Sequence, residues 1–229
     1  MEDTPAKKKD TKKNVDPADQ FRAAYIDYLL EHGKPPHSVY QFTKMLKMPE
    51  ATFYEYYNSF TVLEKDVWKG FFDQTLQTIQ SDSVYAEYSV REKLLAFYYT
   101  WIETLKNNRS YVMLRVKRTK PGNPMRRKRI SDDVLQRFKE AFLRFANELI
   151  SEGRETEEII DRPIIGNNYD EGLWRQVLFV LNFWVEDDSQ NFERTDAAIE
   201  KAVNLSFDIM GRGALDTAFD FARFLYQKR

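Results

Sequence analysis

The side chains that most often carry catalysis are scarce in this chain of 229 residues, which has no cysteine and only two histidines, His32 and His37. The two histidines flank the turn Gly33-Lys34-Pro35-Pro36, so a histidine-based triad or metal centre would have to form within a chain reversal. The lack of cysteine removes disulfides, thiolate zinc sites and a thiol nucleophile. An acidic group, Glu186-Asp187-Asp188 with Glu193, offers the oxygen ligands that Mg²⁺ or Ca²⁺ prefers, but not the alternating spacing of a calcium loop. A loop between helices, with Thr195 as the next N-cap, accounts for it better. Gly211-Arg212-Gly213 lacks the lysine and the spacing of a phosphate loop, and reads as the end of one helix before another begins. No catalytic residue, metal or cofactor is therefore expected, and the chemistry left to the chain is that of binding.

Helices must position whatever does the binding. The chain has only 8 glycines and 8 prolines, and no alternating Val/Ile/Thr runs between turn residues, so the expected fold class is all-α. Residues 1–16 hold lysines and acids with one large apolar residue, Val15, too little to offset the entropy of ordering, and read as a tail. From Pro17 the helical period begins, with Phe21, Ala24, Tyr25, Tyr28 and Leu29 on one face and Gly33 as C-cap. Ser38 caps a second, short helix whose apolar face is Val39, Phe42, Met45 and Leu46. Pro49 opens a third through Thr52, Phe53, Tyr56 and Tyr57, and a longer helix follows from about residue 61 to 80. Three helices in so short a stretch, the second and third joined by a tight turn, form a helix-turn-helix unit. Further helices are expected at 88–107, 109–117, 131–152, 171–187, 194–211 and 214–227. No stretch approaches the ~18 uncharged apolar residues of a membrane span, and the start has no apolar signal region, so a cytoplasmic protein is expected.

From Ser38 to Phe60 the sequence resembles, without a gap, the DNA-binding signature of TetR-type transcriptional regulators. Its most specific part, Thr52-Phe53-Tyr54-Glu55-Tyr56-Tyr57, is similar to the family's Thr-Leu-Tyr-x-Tyr-Phe. The resemblance implies a helix-turn-helix head at 17–68 and a larger helical ligand-binding and dimerisation domain at 69–229. It implies a ligand-responsive regulator, a repressor, with double-stranded DNA, a small hydrophobic ligand and a second copy of the chain as partners. Ser38, Lys44, Thr52, Tyr54 and Tyr56 are the candidate DNA contacts, since hydroxyls and cations reach phosphates and base edges. The head departs from the family in charge: Pro49-Glu50-Ala51-Thr52 stands where Ser-Lys-Gly-Thr is common, Glu55 replaces a frequent histidine, and Phe60 replaces a lysine. Glu50 or Glu55 suits a cytosine amino group.

In the family the helices after the head enclose the ligand. The candidate pocket residues here are Tyr98, Tyr99, Trp101, Phe138, Phe142 and Trp174, rings that serve equally well as ordinary core. The two tyrosines stand out because a buried hydroxyl needs a partner. The segment 171–187 is apolar on more than one face, which assigns Leu178, Leu181 and Trp184 to a dimer interface. Between Lys106 and Ile130 every charged side chain is basic, whereas residues 151–200 are dominated by acids. Such a block marks either an anion-facing surface or a solvated loop that pairs with the acidic region. The alternative reading is a TetR-fold protein that binds a lipid or hydrophobic metabolite and has lost operator binding.

Overall fold

The computed structural model describes residues 16–115, 130–162, 166–211 and 213. Among them the order is α1 (Pro17–His32), α2 (Val39–Met45), α3 (Glu50–Tyr56), α4 (Phe60–Gln80), α5 (Val90–Asn107), α6 (Arg109–Arg115), α7 (Gln136–Glu155), α8 (Tyr169–Glu186) and α9 (Glu193–Met210), with short 3₁₀ turns and no strand. The all-α expectation holds. The expected helix at 214–227, the tail and most of the basic block lie outside the described residues. The chain divides into two compact units, Met1–Leu63 and Glu64–Arg229.

In the first unit local chemistry sets every boundary. The Asp16 carboxylate accepts from the Ala18 amide, Pro17 occupies the first helical position, and Gly33 closes α1 in the left-handed region at φ 68°, its N–H reaching Leu29 O at 2.8 Å. Ser38 Oγ accepts from the Gln41 amide at the start of α2. The turn into α3 places Lys47 at φ 57°, and Pro49 takes the N-cap position. Phe21, Phe42 and Phe53 are fully buried, with Phe21 and Phe53 edge-on at 5.4 Å and Phe60 5.5 Å from Phe53. Met45 does not join this core as the period of α2 suggests. The helix is only two turns long and buries just Phe42 and Thr43, so Met45 is 50% exposed.

The second unit wraps α5 between α7 and α9, with α8 packed on both of those. Its helix ends are held from a distance. Ser89 and Glu92 form a reciprocal capping box, and the Glu158 carboxylate reaches across to accept from the Val90 amide at 3.1 Å. Arg162, itself buried, donates to Gly211 O at 2.9 Å and to Ile209 O, closing the C-terminus of α9 with a cation where the helix dipole favours one. Several expected boundaries move by one to five residues, two of them for a visible reason. Helix α7 starts at Gln136 and not at 131, because Ser131 O accepts from Val134 N in a turn that its Ser-Asp-Asp sequence favours. Thr195 is not an N-cap: α9 begins at Glu193, and Thr195 lies in its first turn.

The acidic group explains that shift. Asp187 accepts from Thr195 N (2.9 Å) and Oγ1 (2.6 Å) with one oxygen, and from Ser189 N (2.9 Å) and Oγ (2.6 Å) with the other. Burial opposes its charge, but the four bonds prevail and its carboxyl is lowered to about 2. A depressed acid contributes stability that is present above its unfolded value near ~4 and is lost as pH falls through the folded value. Thermal melts from pH 5 to pH 2 should therefore show a loss of melting temperature that Asp187→Asn removes in part, the variant being less stable at pH 7. Parallel profiles for the two proteins would contradict this role.

Candidate functional site

The head carries the first candidate surface. Tyr54 and Tyr56 on α3 are 50% and 41% exposed, Thr52 is half-buried, and Ser38 and Lys44 face solvent. Phe53 and Tyr57 turn the other way into the core, so one seven-residue helix separates packing from presentation. Neighbours set the orientation of the exposed groups. The Lys44 ammonium lies 5.6 Å from the centre of the Tyr40 ring, and the Tyr54 hydroxyl donates to Glu50 at 3.4 Å. Ser38 already uses its oxygen as a cap. The sequence reading missed Tyr40, 59% exposed, and Met45. The i, i+4 relation of Tyr40 to Lys44 was the available signal.

In the second unit the expected pocket residues are mostly packed together. Trp101 lies 5.3 Å from Phe138, Phe138 lies 5.4 Å from Trp174, and Phe142 lies 6.0 Å from Trp174, joining α5, α7 and α8 through their rings. Tyr98 is fully buried beside Phe97, and burial alone raises its hydroxyl well above the ordinary tyrosine value. Among the described residues its hydroxyl and the indole N–H groups of Trp68 and Trp101 are buried without a hydrogen-bond partner. A closely packed aromatic interior with unpaired donors is unusual, since such groups cost about 1–3 kcal/mol each. Tyr99 departs from the cluster. One residue of helix rotates it toward α9, where its hydroxyl donates to Glu200 at 3.2 Å, and burial followed by the charges of Glu200 and Asp196 pushes it up to about 12.

A groove of about 1010 Å³ opens elsewhere, between α8 and α9, lined by Gln176, Phe179, Phe183, Leu205 and Ile209 among others and bordered by Arg175, Arg194 and Lys201. It changes the residues that can meet a partner. Leu181 and Trp184, expected at a dimer interface, are 2% and 0% exposed because they fall on the stripe with Val177 and Val180 that faces the subunit's own core, and Leu178 is half-buried. The exposed apolar side chains on these helices are Phe179, Leu205 and Ile209. Among the described residues no group of His, Asp and Glu gathers as metal ligands, and no helix is long and apolar enough to cross a membrane.

The described residues thus hold a short helix-turn-helix unit and a larger aromatic helical unit. A family profile described as "Tetracyclin repressor-like, C-terminal domain" matches residues 93–225, more than half of the chain, and the protein belongs to the TetR family of transcriptional regulators. Two solved structures share the fold. A protein from Syntrophomonas wolfei described as a TetR-family transcriptional regulator is 16% identical, with a TM-score of 0.58 over 84% of this chain and 93% of that one. A protein from Shewanella sp. PV-4 described as a tetR family transcription regulator is 14% identical, with a TM-score of 0.52 over 86% and 98% of the respective chains. No curated protein sequence matches.

The division of labour on α3 is measurable. Phe53→Ala should cost about 3–5 kcal/mol in urea unfolding followed by circular dichroism, by removing a fully buried ring. Tyr54→Phe, which deletes one exposed hydroxyl, should stay within about 0.5 kcal/mol. Equal costs for the two would mean that α3 is not oriented as described.

Proposed function

We propose that the protein is a homodimeric, ligand-responsive, DNA-binding regulator that acts as a repressor. The observation that carries this reading is the solvent-facing set of Lys44, Tyr54 and Tyr56 on a helix-turn-helix whose opposite side is locked by Phe42 and Phe53. Two such heads on a symmetric dimer enter successive major grooves, with α3 as the reading helix. Ser38, Thr52, Tyr54, Tyr56 and Lys44 position the head on phosphates, while Glu50 and Glu55 repel them and suit a cytosine amino group. The hydrophobic ligand enters the aromatic interior of the second unit, where Tyr98, Trp101, Phe138, Phe142 and Trp174 supply apolar walls and unpaired donors. In the family mechanism we adopt, the helix after the head, here α4 (Phe60–Gln80), passes the ligand's effect to the head.

The expected affinity is strongly salt-dependent, because phosphate contacts release counterions. Titrating a labelled duplex at low salt should show binding that Lys44→Ala weakens, with the salt slope reduced by about one, and that Glu55→Gln tightens. A protein with no affinity for any duplex at low salt would overturn the regulator reading in favour of a TetR-fold binder of lipids or hydrophobic metabolites.

The dimer forms through the α8–α9 groove face. Exposed apolar patches of this kind mark interfaces, and a twofold axis brings the same patch from both copies together. Light scattering at micromolar concentration should report a dimer, and Leu205→Glu or Phe179→Glu should report a monomer of unchanged helicity. Leu181→Asp should instead unfold the chain by burying an unpaired charge. A dimer that survives both surface changes would place the interface elsewhere.

A further inference from the structure

The first turn of α6 meets α8 and the loop before α9. The Arg109 guanidinium carbon lies 4.7 Å from the Trp184 ring centre and 4.6 Å from that of Phe192, and the two rings are 6.0 Å apart, tilted by 53°. These three distances form a triangle, so the cation rests on one side against the notch between two rings. Arg109 Nη1 and Trp184 Nε1 are both buried, and among the described residues neither has a hydrogen-bond partner. A guanidinium and an indole can only donate, so what the site lacks is an acceptor.

Among the described residues no side chain or carbonyl is hydrogen-bonded to either donor. Both oxygens of Asp187, the buried acid of this loop, are engaged by Ser189 and Thr195, and Glu103 is paired with Lys106. The Lys106 ammonium, paired with Glu103, lies 5.4 Å from the centre of the Phe192 ring. The ring of Phe192 is held there at a cost: Asn191 and Phe192 are consecutive non-glycine residues in the left-handed region, at φ 53° and 63°. Strained backbone clamped by a four-bond carboxylate, presenting a ring to a cation with an unanswered donor, is a built feature.

We propose that this locus binds the carboxylate, or a comparable oxyanion, of a small apolar-bodied ligand, through Arg109 Nη1 and Trp184 Nε1. The inference rests on the reading of the second unit as ligand-binding, and it gives the ligand's class: an organic acid. Charge-assisted bonds of this kind separate an acid from a neutral analogue of the same size.

Two probes of equal chain length test it, octanoate and octan-1-ol, titrated into the full-length protein by calorimetry and tryptophan fluorescence. Octanoate should bind about tenfold or more tightly than octan-1-ol. Arg109→Met should abolish the preference, Arg109→Lys should restore part of it, and Trp184→Phe, which keeps a ring and removes the N–H, should weaken octanoate alone. If the two probes bind equally and Arg109→Met changes neither, the oxyanion site is refuted while the ligand-binding reading stands. If neither probe binds up to millimolar concentration, both fall together. If Arg109→Met does not fold, the Trp184→Phe comparison decides on the same criterion.

Discussion

Burial of Phe53 and Phe42 against Phe21 is the contact on which the head depends. Helices of seven residues are far below the length at which a helix persists alone in water, because nucleation fixes several dihedrals before any bond is gained. Helices α2 and α3 are both of that length, and each sends one phenylalanine fully into the core. Edge-on and tilted ring contacts at 5.4–6.2 Å add direction to the apolar burial, so the helices are fixed in rotation as well as in position. The direction in which Tyr54 and Tyr56 face is thus a consequence of where Phe53 goes. Chemistry on the outer side can change without loss of the fold, which allows acids at residues 50 and 55.

The second unit follows another logic. Its helix termini are satisfied by side chains distant in sequence, Glu158 at α5 and Arg162 at α9, so the loop between α7 and α8 holds two other helices in place. The interior between them is rich in rings and short of acceptors, with unpaired donors from Trp68, Tyr98, Trp101, Arg109 and Trp184. Buried polar groups in native proteins are nearly always paired, and a surplus of one sign is what an interior that receives a ligand's acceptors would show.

How far this could be read from the sequence depends on the range of the interaction that decides each feature. Gly33, Ser38 and the alternation of Phe53 and Tyr57 with Tyr54 and Tyr56 were legible, because a cap or a helical period is set within four residues. Thr195 was misplaced because Asp187, eight residues earlier, competes for its amide and hydroxyl. Tyr98 and Tyr99 could not be separated without knowing that α9 carries Glu200 opposite one of them. On α8 the period failed altogether, since a helix that is apolar nearly all round does not reveal which stripe faces its own core. Leu181 and Trp184 face inward and Phe179 outward for reasons that lie in α7 and α9. The meeting of Arg109 with Trp184 joins two helices with no local mark in either.

The central claim, that this head reads DNA as one of a symmetric pair, is tested most directly by selection from random-sequence duplexes followed by hydroxyl-radical footprinting of the enriched sequence. The account predicts a palindromic site with two protected patches on one face of the duplex, one helical turn of about 10 base pairs or a multiple of it apart. A selection in which no sequence rises above the non-specific background would contradict it.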